Sequence, residues 1–547
     1  MKNWAVLLIC VPAALAQQGG GAAVSSQLRE IAAAGHMAEL RWPDFTDYRG
    51  HVRNFYEPMA YAPAWIRDGR PTPQALAIIE ILKQADSLGL YPEDYDASRW
   101  ADRLARLQKA QAGDAAIFDA ALTVCLMRYI SDCHIGKINP EHFKFGLSVE
   151  AKKYELPTFL RDRLVNGQDM KAELAQIGPP FAGYKRTLEA LQRYLQLAKQ
   201  DDGEKLPVPA KPVAPGSPYD GIPRLTRRLR LVGDLPANAV VPADSNLYQG
   251  ALVDAVKSFQ GRHGLKPDGR LDAPTLANLN TPLSQRVDQL RLMLERWHWL
   301  PDRFNEPPIV VNIPEFRLRA YDSDQNIVLS MNVIVGKAFH HKTPVFEKDM
   351  RYVIFRPYWN VPPSIEHSEI VSAIHKDRDY IAKKGFEVTT QAGQLVASGA
   401  ITDDVLAQLR AGKLAVRQKP GTSNALGLVK LIFPNEYNVY LHSTPAAQLF
   451  SQTRRDFSHG CIRVEKPAEL AAWVLRDKPD WSLARVQAAM ASGKDNVQVN
   501  LTQPVPVLIL YGTAVVDPDG KVQFFDDIYG YDDELKQALA KGYPYPG

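Results

Sequence analysis

The hydrophobic period of this 547-residue chain changes from helical to strand-like near residue 307, and this change limits the folds open to it. Before residue 307, apolar residues recur three positions apart, as at Leu76 and Ile79. After it they alternate with other residues, as at Ile309 and Val311. A chain this long also exceeds the ~100–200 residues of an ordinary domain. The sequence therefore predicts a multidomain α+β protein.

The first sixteen residues have the features of a secretory signal peptide. Lys2 supplies a positive charge, residues 4–11 form a short apolar core, and an Ala-Leu-Ala cleavage pattern ends at Ala16. A buried N-terminal helix is the alternative, and the Gly/Gln-rich stretch that follows argues against it. Lipidation at Cys10 is disfavoured because Ile9 stands where a small residue is expected. We expect export without a membrane span, since no later apolar run approaches the ~20 residues that a membrane helix needs.

Charge and cysteine content argue against two further classes of protein, nucleic-acid-binding proteins and disulfide-stabilised domains. The 65 basic and 61 acidic residues give a net charge of +4, which argues against a nucleic-acid partner. Four cysteines are too few for a disulfide framework. After signal removal, Cys125, Cys133 and Cys461 remain. Eight residues of helix rise ~12 Å, and a disulfide needs Cα atoms within ~7 Å. Cys125 and Cys133 are therefore predicted to be buried apolar residues, and they pair only if their helix breaks between them.

The segment before residue 307 divides into three parts. Residues 25–200 are predicted to form a helical domain. Residues 201–218 contain five prolines and are predicted to be a semi-rigid linker, with a loop inside one domain as the alternative. Residues 219–282 are predicted to form a small three-helix domain, with helices at 222–231 and 248–263 and a third that Asp272 caps.

Residues 290–540 are predicted to form a mostly antiparallel β domain. Asp519-Gly520 is a strong hairpin signal between its last two strands. Residues 364–425 interrupt the strand pattern with mixed helical sequence and are predicted to be a helical capping insertion. Besides the alternating run that begins at Ile309, strands are expected at residues 352–355, 428–433, 438–442, 507–516 and 522–525.

One short group of residues has the features of a catalytic site. A predicted strand ends in His442, and nineteen residues later Ser458-His459-Gly460-Cys461 forms a turn that we expect to open a helix. A free cysteine near histidines is a candidate nucleophile, and His442 is the candidate general base. A helix N-terminus would favour the thiolate, and its N–H groups would hold an oxyanion. This arrangement indicates acyl transfer through a thioester.

Two other interpretations of these residues are open. His442, His459 and Cys461 would form a zinc site, although His-x-Cys spacing is poor for zinc and no second cysteine pair lies nearby. Alternatively Cys461 is a buried structural residue. No metal or cofactor is predicted.

The His442 and Ser458-His459-Gly460-Cys461 pattern closely resembles the catalytic motif of the YkuD-type L,D-transpeptidase family. The chain is more specifically similar to the large YcbB-like branch, which has a helical scaffold domain, a peptidoglycan-binding-like domain and a catalytic domain with a long capping insertion. Further segments that resemble this branch are RWHWLP at 296–301, YWNVPP at 358–363 and DIYGYD at 527–532. Residues 219–282 resemble the peptidoglycan-binding-like module through Phe259-Gln260, Gly264-Leu265, Asp268-Gly269 and Thr275-Leu276.

The resemblance implies a role for each residue of the motif. Cys461 would be the nucleophile and His442 the acid/base. The backbone carbonyl of Ser443 would orient His442, so the Ser443 side chain would matter little. His459 would line the pocket near the oxyanion, and the amides of Gly460 and Cys461 would be the oxyanion donors.

The resemblance also suggests substrate-binding residues. Arg463 would bind a substrate carboxylate, with a structural ion pair as the alternative. Tyr358, Trp359 and Tyr440 would shape the cleft, with core packing as the alternative, and Ser458 would also contact substrate. His340, His341 and Lys342 are expected to form a solvated loop.

The implied activity is transfer of a peptidoglycan stem peptide. Cys461 would attack the L-centre carbonyl of diaminopimelate and release D-Ala, and a second diaminopimelate amine would resolve the thioester into a 3→3 crosslink. Carbapenems would acylate the same thiol. The expected location is the periplasm of a Gram-negative bacterium, and the expected partners are stem peptides and cell-wall synthesis enzymes. An L,D-carboxypeptidase, an enzyme of lipoprotein attachment and a non-enzymatic wall-binding scaffold are the alternatives.

Overall fold

The computed structural model describes residues 14–109, 111–152, 155–167, 169–241, 246–339 and 341–545, with side chains from residue 21 onward. Most of the predicted signal peptide therefore lies outside the described residues. Helix α1 (Ala14–Ala34) runs through the Gly/Gln-rich stretch, so our expectation that this stretch would end a helix is wrong. Val24 and Leu28 are buried on α1 in the core of the first domain, and such packing outweighs the weak helix propensity of glycine.

The N-terminal domain is helical, as predicted, and one helix forms its centre. Helix α5 (Ala112–Ile135) is buried on nearly every face, among large side chains such as Trp65 and Trp100. The domain also has a small hairpin of β1 (Ile66–Arg67) and β2 (Arg70–Pro71). Its other helices are α2 (Arg49–Tyr56), α3 (Pro73–Lys83), α4 (Trp100–Leu107), α6 (Leu156–Phe159), α7 (Met170–Ala175) and α8 (Ala182–Gln200).

Cys125 and Cys133 both lie on α5, which is unbroken between them. Both thiols are free and buried. The prediction that they are small buried residues is confirmed, and the disulfide alternative is wrong because the helix keeps them too far apart.

The proline-rich segment is part of the small domain rather than a separate spacer. Leu206 and Val213 are buried in the core of that domain. The backbone N–H of Leu206 donates to the Asn280 side chain (2.7 Å), and Val213 bridges to Leu271. Prolines keep this strip extended, and its apolar residues attach it to the domain.

The small domain contains the three predicted helices, α9 (Ile222–Leu231), α10 (Ala251–Arg262) and α11 (Ala273–Leu279). The Asp272 carboxylate accepts the Thr275 N–H (2.9 Å) and caps α11, as predicted. Gly264 has φ +65° at the end of α10, a left-handed conformation that favours glycine.

The C-terminal domain is built on one nine-stranded sheet that follows α12 (Leu283–His298). Strand β5 also pairs with β4, so the sheet curls round onto itself. Most pairs are antiparallel, as predicted, and β13–β5, β12–β14 and β15–β3 are parallel. The strands are β3 (Ile309–Asn312), β4 (Arg317–Tyr321), β5 (Ile327–Gly336), β6 (Phe346–Phe355), β11 (Val429–Ile432), β12 (Leu441–His442), β13 (Asp456–Ser458), β14 (Ile462–Val464) and β15 (Val497–Leu510). Their order is β13-β5-β14-β12-β11-β6-β15-β3-β4.

Three helices and one hairpin complete this domain. The predicted hairpin is present, because β16 (Ala514–Val516) pairs antiparallel with β17 (Val522–Phe524) across the Asp519-Gly520 turn. The helices are α17 (Pro467–Val474), α18 (Leu483–Ser492) and α19 (Tyr531–Leu539). The multidomain α+β fold is therefore confirmed.

The capping insertion contains helices and also a sheet that we did not predict. Its four strands, in the order β7-β10-β8-β9, enclose a separate hydrophobic core that includes Ile374 and Val388. Short strands of mixed composition have a weak periodic signal, which explains why the sequence did not predict this sheet. The strands are β7 (Trp359–Asn360), β8 (Phe386–Thr390), β9 (Leu395–Ala397) and β10 (Leu414–Gln418), and the helices are α13 (Pro363–Ile365), α14 (Val371–Lys376), α15 (Tyr380–Lys383) and α16 (Asp403–Arg410), with a π-helical turn at Glu366–Ile370.

Two of the sequence segments noted above contact each other, and one of them also contacts the helical domain. The Arg296 guanidinium on α12 pairs with Asp532 on α19 (2.5 Å). The Trp299 indole N–H donates to the Ile138 carbonyl (2.9 Å), which ties the β domain to the helical one. Among the described residues, no helix has the length and apolar character needed to cross a bilayer.

Candidate functional site

The segment after Cys461 is a strand, so the predicted helix start is wrong. Ile462 and Val464 are fully buried, and β14 pairs with β12 on one side and β5 on the other. These β-branched residues fit a buried strand, and the next helix begins only at Pro467. Cys461 therefore lacks the helix-terminal field that the sequence suggested.

Strand register places three ionisable side chains side by side. Lys430 on β11 is opposite His442 on β12, and His442 is opposite Arg463 on β14. Successive residues of a strand point to opposite faces, so this cationic row lies on one face. On the other face the row formed by Leu431, Leu441 and Ile462 is buried in the core.

The candidate nucleophile lies on the same face as the cationic row. Cys461 is two positions before Arg463, and Tyr440 is two positions before His442, so all four side chains share that face. Cys461 immediately precedes β14, and the pairing of Leu441 with Ile462 places it diagonally to His442 on β12. Strand pairing thus places the two residues that the motif predicts to react on neighbouring segments of one face.

The Cys461 thiol is partly exposed and held among polar groups. Its Sγ lies 3.6 Å from the Asn438 carbonyl and is hydrogen-bonded to the Tyr440 backbone and side chain. Burial raises the pKa of Cys461, and the hydrogen bonds from Tyr440 and the charges of Lys430 and Arg463 offset part of that shift. The resting residue is therefore a thiol, and it needs a base at the moment of attack.

His442 is 4% exposed and is oriented by a backbone carbonyl. Its Nδ1 lies 2.6 Å from the Ser443 carbonyl, the contact that the resemblance implies. A hydrogen bond to a carbonyl assigns the proton to Nδ1 and leaves Nε2 as the basic nitrogen. Burial, with a further contribution from Arg463, lowers the pKa of His442 to about 3. The imidazole is therefore neutral at physiological pH.

The Ser443 side chain contributes more than the sequence suggested. Its Oγ accepts the Leu428 N–H (2.6 Å) and the Val429 N–H (3.3 Å), and it donates to the Leu426 carbonyl (3.1 Å). A Cβ on Gly427 would lie 2.1 Å from the same oxygen. The hydroxyl therefore ties the 426–429 segment to the residue whose carbonyl orients His442.

The Ser458 side chain organises the turn before Cys461. It is 3% exposed, and its Oγ donates to the Cys461 carbonyl (2.6 Å) and accepts the Gly460 N–H (3.1 Å). The Gly460 amide is thus already bonded, which disagrees with its expected role as an oxyanion donor. Among the described residues the Cys461 N–H has no acceptor, so it is the available donor. Gly460 has φ +116°, a conformation that favours glycine.

His459 contacts the capping insertion. Its Nε2 lies 2.8 Å from the carboxylate of Glu369, on the π-helical turn, and its ring packs against His341 (4.7 Å between centroids). The expected solvated loop is therefore wrong for His341, and also for Lys342, which donates to the Tyr529 carbonyl (2.7 Å). His340 lies outside the described residues.

The aromatic residues named from the sequence divide between the site and the cap. Trp359, at the first strand of the capping insertion, hydrogen-bonds to the Tyr440 side chain beside Cys461. Tyr358 instead lies against the Arg417 guanidinium of the capping sheet, 4.4 Å from the ring centroid. Trp359 therefore links the cap to the thiol, and Tyr358 belongs to the cap.

Arg463 makes no ion pair within the described part of the chain, and its buried Nε has no hydrogen-bond partner. The structural ion-pair alternative is therefore unsupported. Lys430 was missed by sequence reasoning, although its place between buried Val429 and Leu431 puts it on the open face. Glu369 had no sequence signal because it belongs to a separate folding unit.

The zinc alternative finds no support in the geometry. His442 Nδ1 and His459 Nε2 contact Ser443 and Glu369. Across the described ranges, no three His, Cys, Asp or Glu side chains converge in a way that would hold a metal ion.

Comparison with known families agrees with this geometry. Residues 307–507 match the model of the L,D-transpeptidase catalytic domain. The C-terminal domain is therefore an L,D-transpeptidase-type catalytic domain. Residues 50–191 match a scaffold domain and residues 220–279 match a putative peptidoglycan binding domain, the architecture of the YcbB-like branch of the L,D-transpeptidase family.

One curated member of the family is a putative L,D-transpeptidase of Haemophilus influenzae. It is 30% identical over 294 residues, which cover 54% of this chain and 58% of that protein. The match thus spans somewhat over half of the relative's length. A crystal structure of an L,D-transpeptidase from Xylanimonas cellulosilytica matches at 14% identity and covers 56% of this chain and 100% of that one, with a TM-score of 0.17.

Proposed function

We propose that this protein is a peptidoglycan L,D-transpeptidase that forms 3→3 crosslinks between diaminopimelate residues through a thioester on Cys461. The observation that carries the proposal is the placement of Cys461 and neutral His442 on one face of adjacent strands, beneath the capping insertion. The match of residues 307–507 to the L,D-transpeptidase catalytic domain supports it.

The first half-reaction is acylation. The thiol turns from the Asn438 carbonyl toward His442, whose Nε2 takes its proton as Sγ bonds to the L-centre carbonyl carbon of diaminopimelate. The Cys461 N–H stabilises the developing oxyanion. The bond to D-Ala then breaks, and His442 returns the proton to the departing amine. The products are the thioester and free D-Ala.

The second half-reaction transfers the acyl group. The side-chain amine of a second diaminopimelate attacks the thioester carbon and loses a proton to His442. The C–S bond breaks, and the proton returns to sulfur. Exclusion of water by the capping insertion favours the amine over hydrolysis.

We further propose that the chain is exported to the periplasm of a Gram-negative bacterium, with cleavage after Ala16, and works there with cell-wall synthesis enzymes. The signal-like N-terminus and the match of residues 220–279 to a putative peptidoglycan binding domain support this. N-terminal sequencing of protein from the cell envelope tests the cleavage site.

Product analysis tests the activity. Wild type and Cys461→Ala are incubated with purified disaccharide-tetrapeptide, and the products are read by mass spectrometry. We expect dimers joined through two diaminopimelates only with wild type. Tripeptide monomers alone would indicate an L,D-carboxypeptidase, and no turnover would favour a wall-binding scaffold.

A further inference from the structure

The cationic row of Lys430, His442 and Arg463 holds more positive charge than its surroundings balance. Among the described residues, neither Lys430 nor Arg463 has a carboxylate within ion-pair distance. Both are only partly exposed, and within the described ranges the buried Arg463 Nε has no acceptor. Charged groups held away from water without a partner are unfavourable, so a bound anion would stabilise this row.

Lys430 is held in place by an aromatic ring. Its Nζ lies 3.7 Å from the centroid of Tyr440, whose side chain also hydrogen-bonds to Cys461 and Trp359. The cation–π contact fixes the ammonium on the face of the sheet that carries the thiol. Lys430 is thus positioned beside the reacting group and is not a solvated surface lysine.

The charges can be counted. His442 is neutral at physiological pH, so the two positive charges of the row come from Lys430 and Arg463, whose pKa values are lowered by burial. A Cys461 thiolate would neutralise only one of them. One positive charge beside the reaction centre is left for an anionic group of the substrate.

We propose that Lys430, together with Arg463, binds a free carboxylate of the donor stem peptide next to the scissile carbonyl. This inference rests on the proposed function. Two carboxylates of the donor lie near that carbonyl, the terminal carboxylate of the departing D-Ala and the free carboxylate of diaminopimelate. Both offer the same chemistry, a carboxylate that accepts charge-assisted hydrogen bonds.

The experiment measures acylation of Cys461 by intact-protein mass spectrometry at increasing donor concentration. Three donors are compared, the free acid, the C-terminal amide and the diaminopimelate amide. The enzymes are wild type, Lys430→Met, Lys430→Arg and a control, Lys348→Met, which removes a more exposed lysine paired with Glu436 on the same domain. Thermal unfolding of each variant reports its folding.

Wild type and the control should prefer the free acid over one of the two amides by about ten- to a hundredfold in acylation efficiency, as for a hydrogen bond to a charged group. The amide that is disfavoured identifies the carboxylate. Lys430→Met should lose most of this preference, mainly through a higher half-saturating concentration, and Lys430→Arg should retain it. The melting temperature of Lys430→Met should change little, since loss of the cation–π contact with Tyr440 is offset by removal of a cation that has no carboxylate partner.

Several results would overturn the proposal. Equal acylation of wild type by all three donors would do so, as would full retention of the free-acid preference by Lys430→Met. A uniform loss of rate with every donor, together with a higher thiol pKa in alkylation, would mean that Lys430 serves the thiolate instead. Absence of acylation of wild type by any donor would contradict the proposed function itself, and this proposal with it.

Discussion

Removal of the Ser443 hydroxyl should destabilise the C-terminal domain and slow acylation. Its Oγ accepts the Leu428 and Val429 N–H groups at 2.6 and 3.3 Å and donates to the Leu426 carbonyl at 3.1 Å. All three bonds hold the 426–429 segment against the residue whose carbonyl contacts His442. Ser443→Ala leaves these groups without the partner they have now.

The magnitude follows from burial. Ser443 is 6% exposed, so water does not readily replace the hydroxyl. A buried polar group left unsatisfied costs ~1–3 kcal/mol. The 2.6 Å bond should account for most of the loss, and the 3.3 Å bond for little. A total of about 2–4 kcal/mol is expected, which corresponds to a fall of roughly 5–15 °C in the melting temperature of a domain of this size.

Calorimetry of the full chain measures the melting transition, and mass spectrometry measures the rate of Cys461 acylation. Ser451→Ala is the matched control, because its hydroxyl donates to the Gln448 carbonyl (2.7 Å) in an exposed turn. The control should be within about 0.5 kcal/mol of wild type. If Ser443→Ala melts within a degree of wild type and is acylated at the same rate, the role assigned to this hydroxyl is wrong.

Three other predictions concern the three thiols and the capping insertion. The rate of Cys461 alkylation by iodoacetamide should rise with pH, with an apparent pKa above the ordinary cysteine value, because burial raises the pKa of this thiol. A rate that has already reached its plateau at pH 6 would contradict the neutral thiol–imidazole pair. Of Cys125, Cys133 and Cys461, only Cys461 should react rapidly with a thiol reagent in native protein, since the other two are buried. Fast labelling of Cys125 or Cys133 would count against the structure of α5. Glu369→Gln should weaken the contact with His459 by no more than about 1 kcal/mol, because the glutamate is half exposed. The expected result is faster hydrogen exchange in the capping insertion. Unchanged exchange would mean that this contact does not hold the capping insertion in place.

Stability should also fall at acid pH because His442 is buried. Its pKa is about 3 in the folded state and ~6.5 when unfolded, so the unfolded chain binds the extra proton between these values. The contribution of His442 to stability is complete above pH ~6.5 and is lost as the pH falls toward 3. Urea unfolding at pH 7 and pH 4 should show a smaller loss for His442→Gln than for wild type, and equal losses would contradict the assignment.

Local signals in the sequence predicted the architecture well where they were strong. The helices of the small domain and the Asp272 cap follow from period and capping chemistry, and the hairpin at Asp519-Gly520 follows from its turn residues. The Ser458-His459-Gly460-Cys461 motif located the candidate site. These features depend on residues close together in the chain, so the sequence contains most of the information.

The features that sequence reasoning missed depend on contacts between distant segments. Lys430 approaches the thiol only because β11 and β12 pair in one particular register. Glu369 reaches His459 across ninety positions. Cys461 precedes a strand because β14 completes a sheet. The sequence instead predicted a helix there, because the glycine before Cys461 is typical of a helix boundary. Neither propensity nor spacing encodes such pairings.

The proposed function depends on an acyl group carried by Cys461. Wild type incubated with disaccharide-tetrapeptide and quenched in acid, then digested and mapped by mass spectrometry, tests it most directly. We predict a tripeptidyl adduct on the peptide that contains Cys461, and none in Cys461→Ala. An adduct on Cys125, or an adduct that persists in Cys461→Ala, would contradict the account.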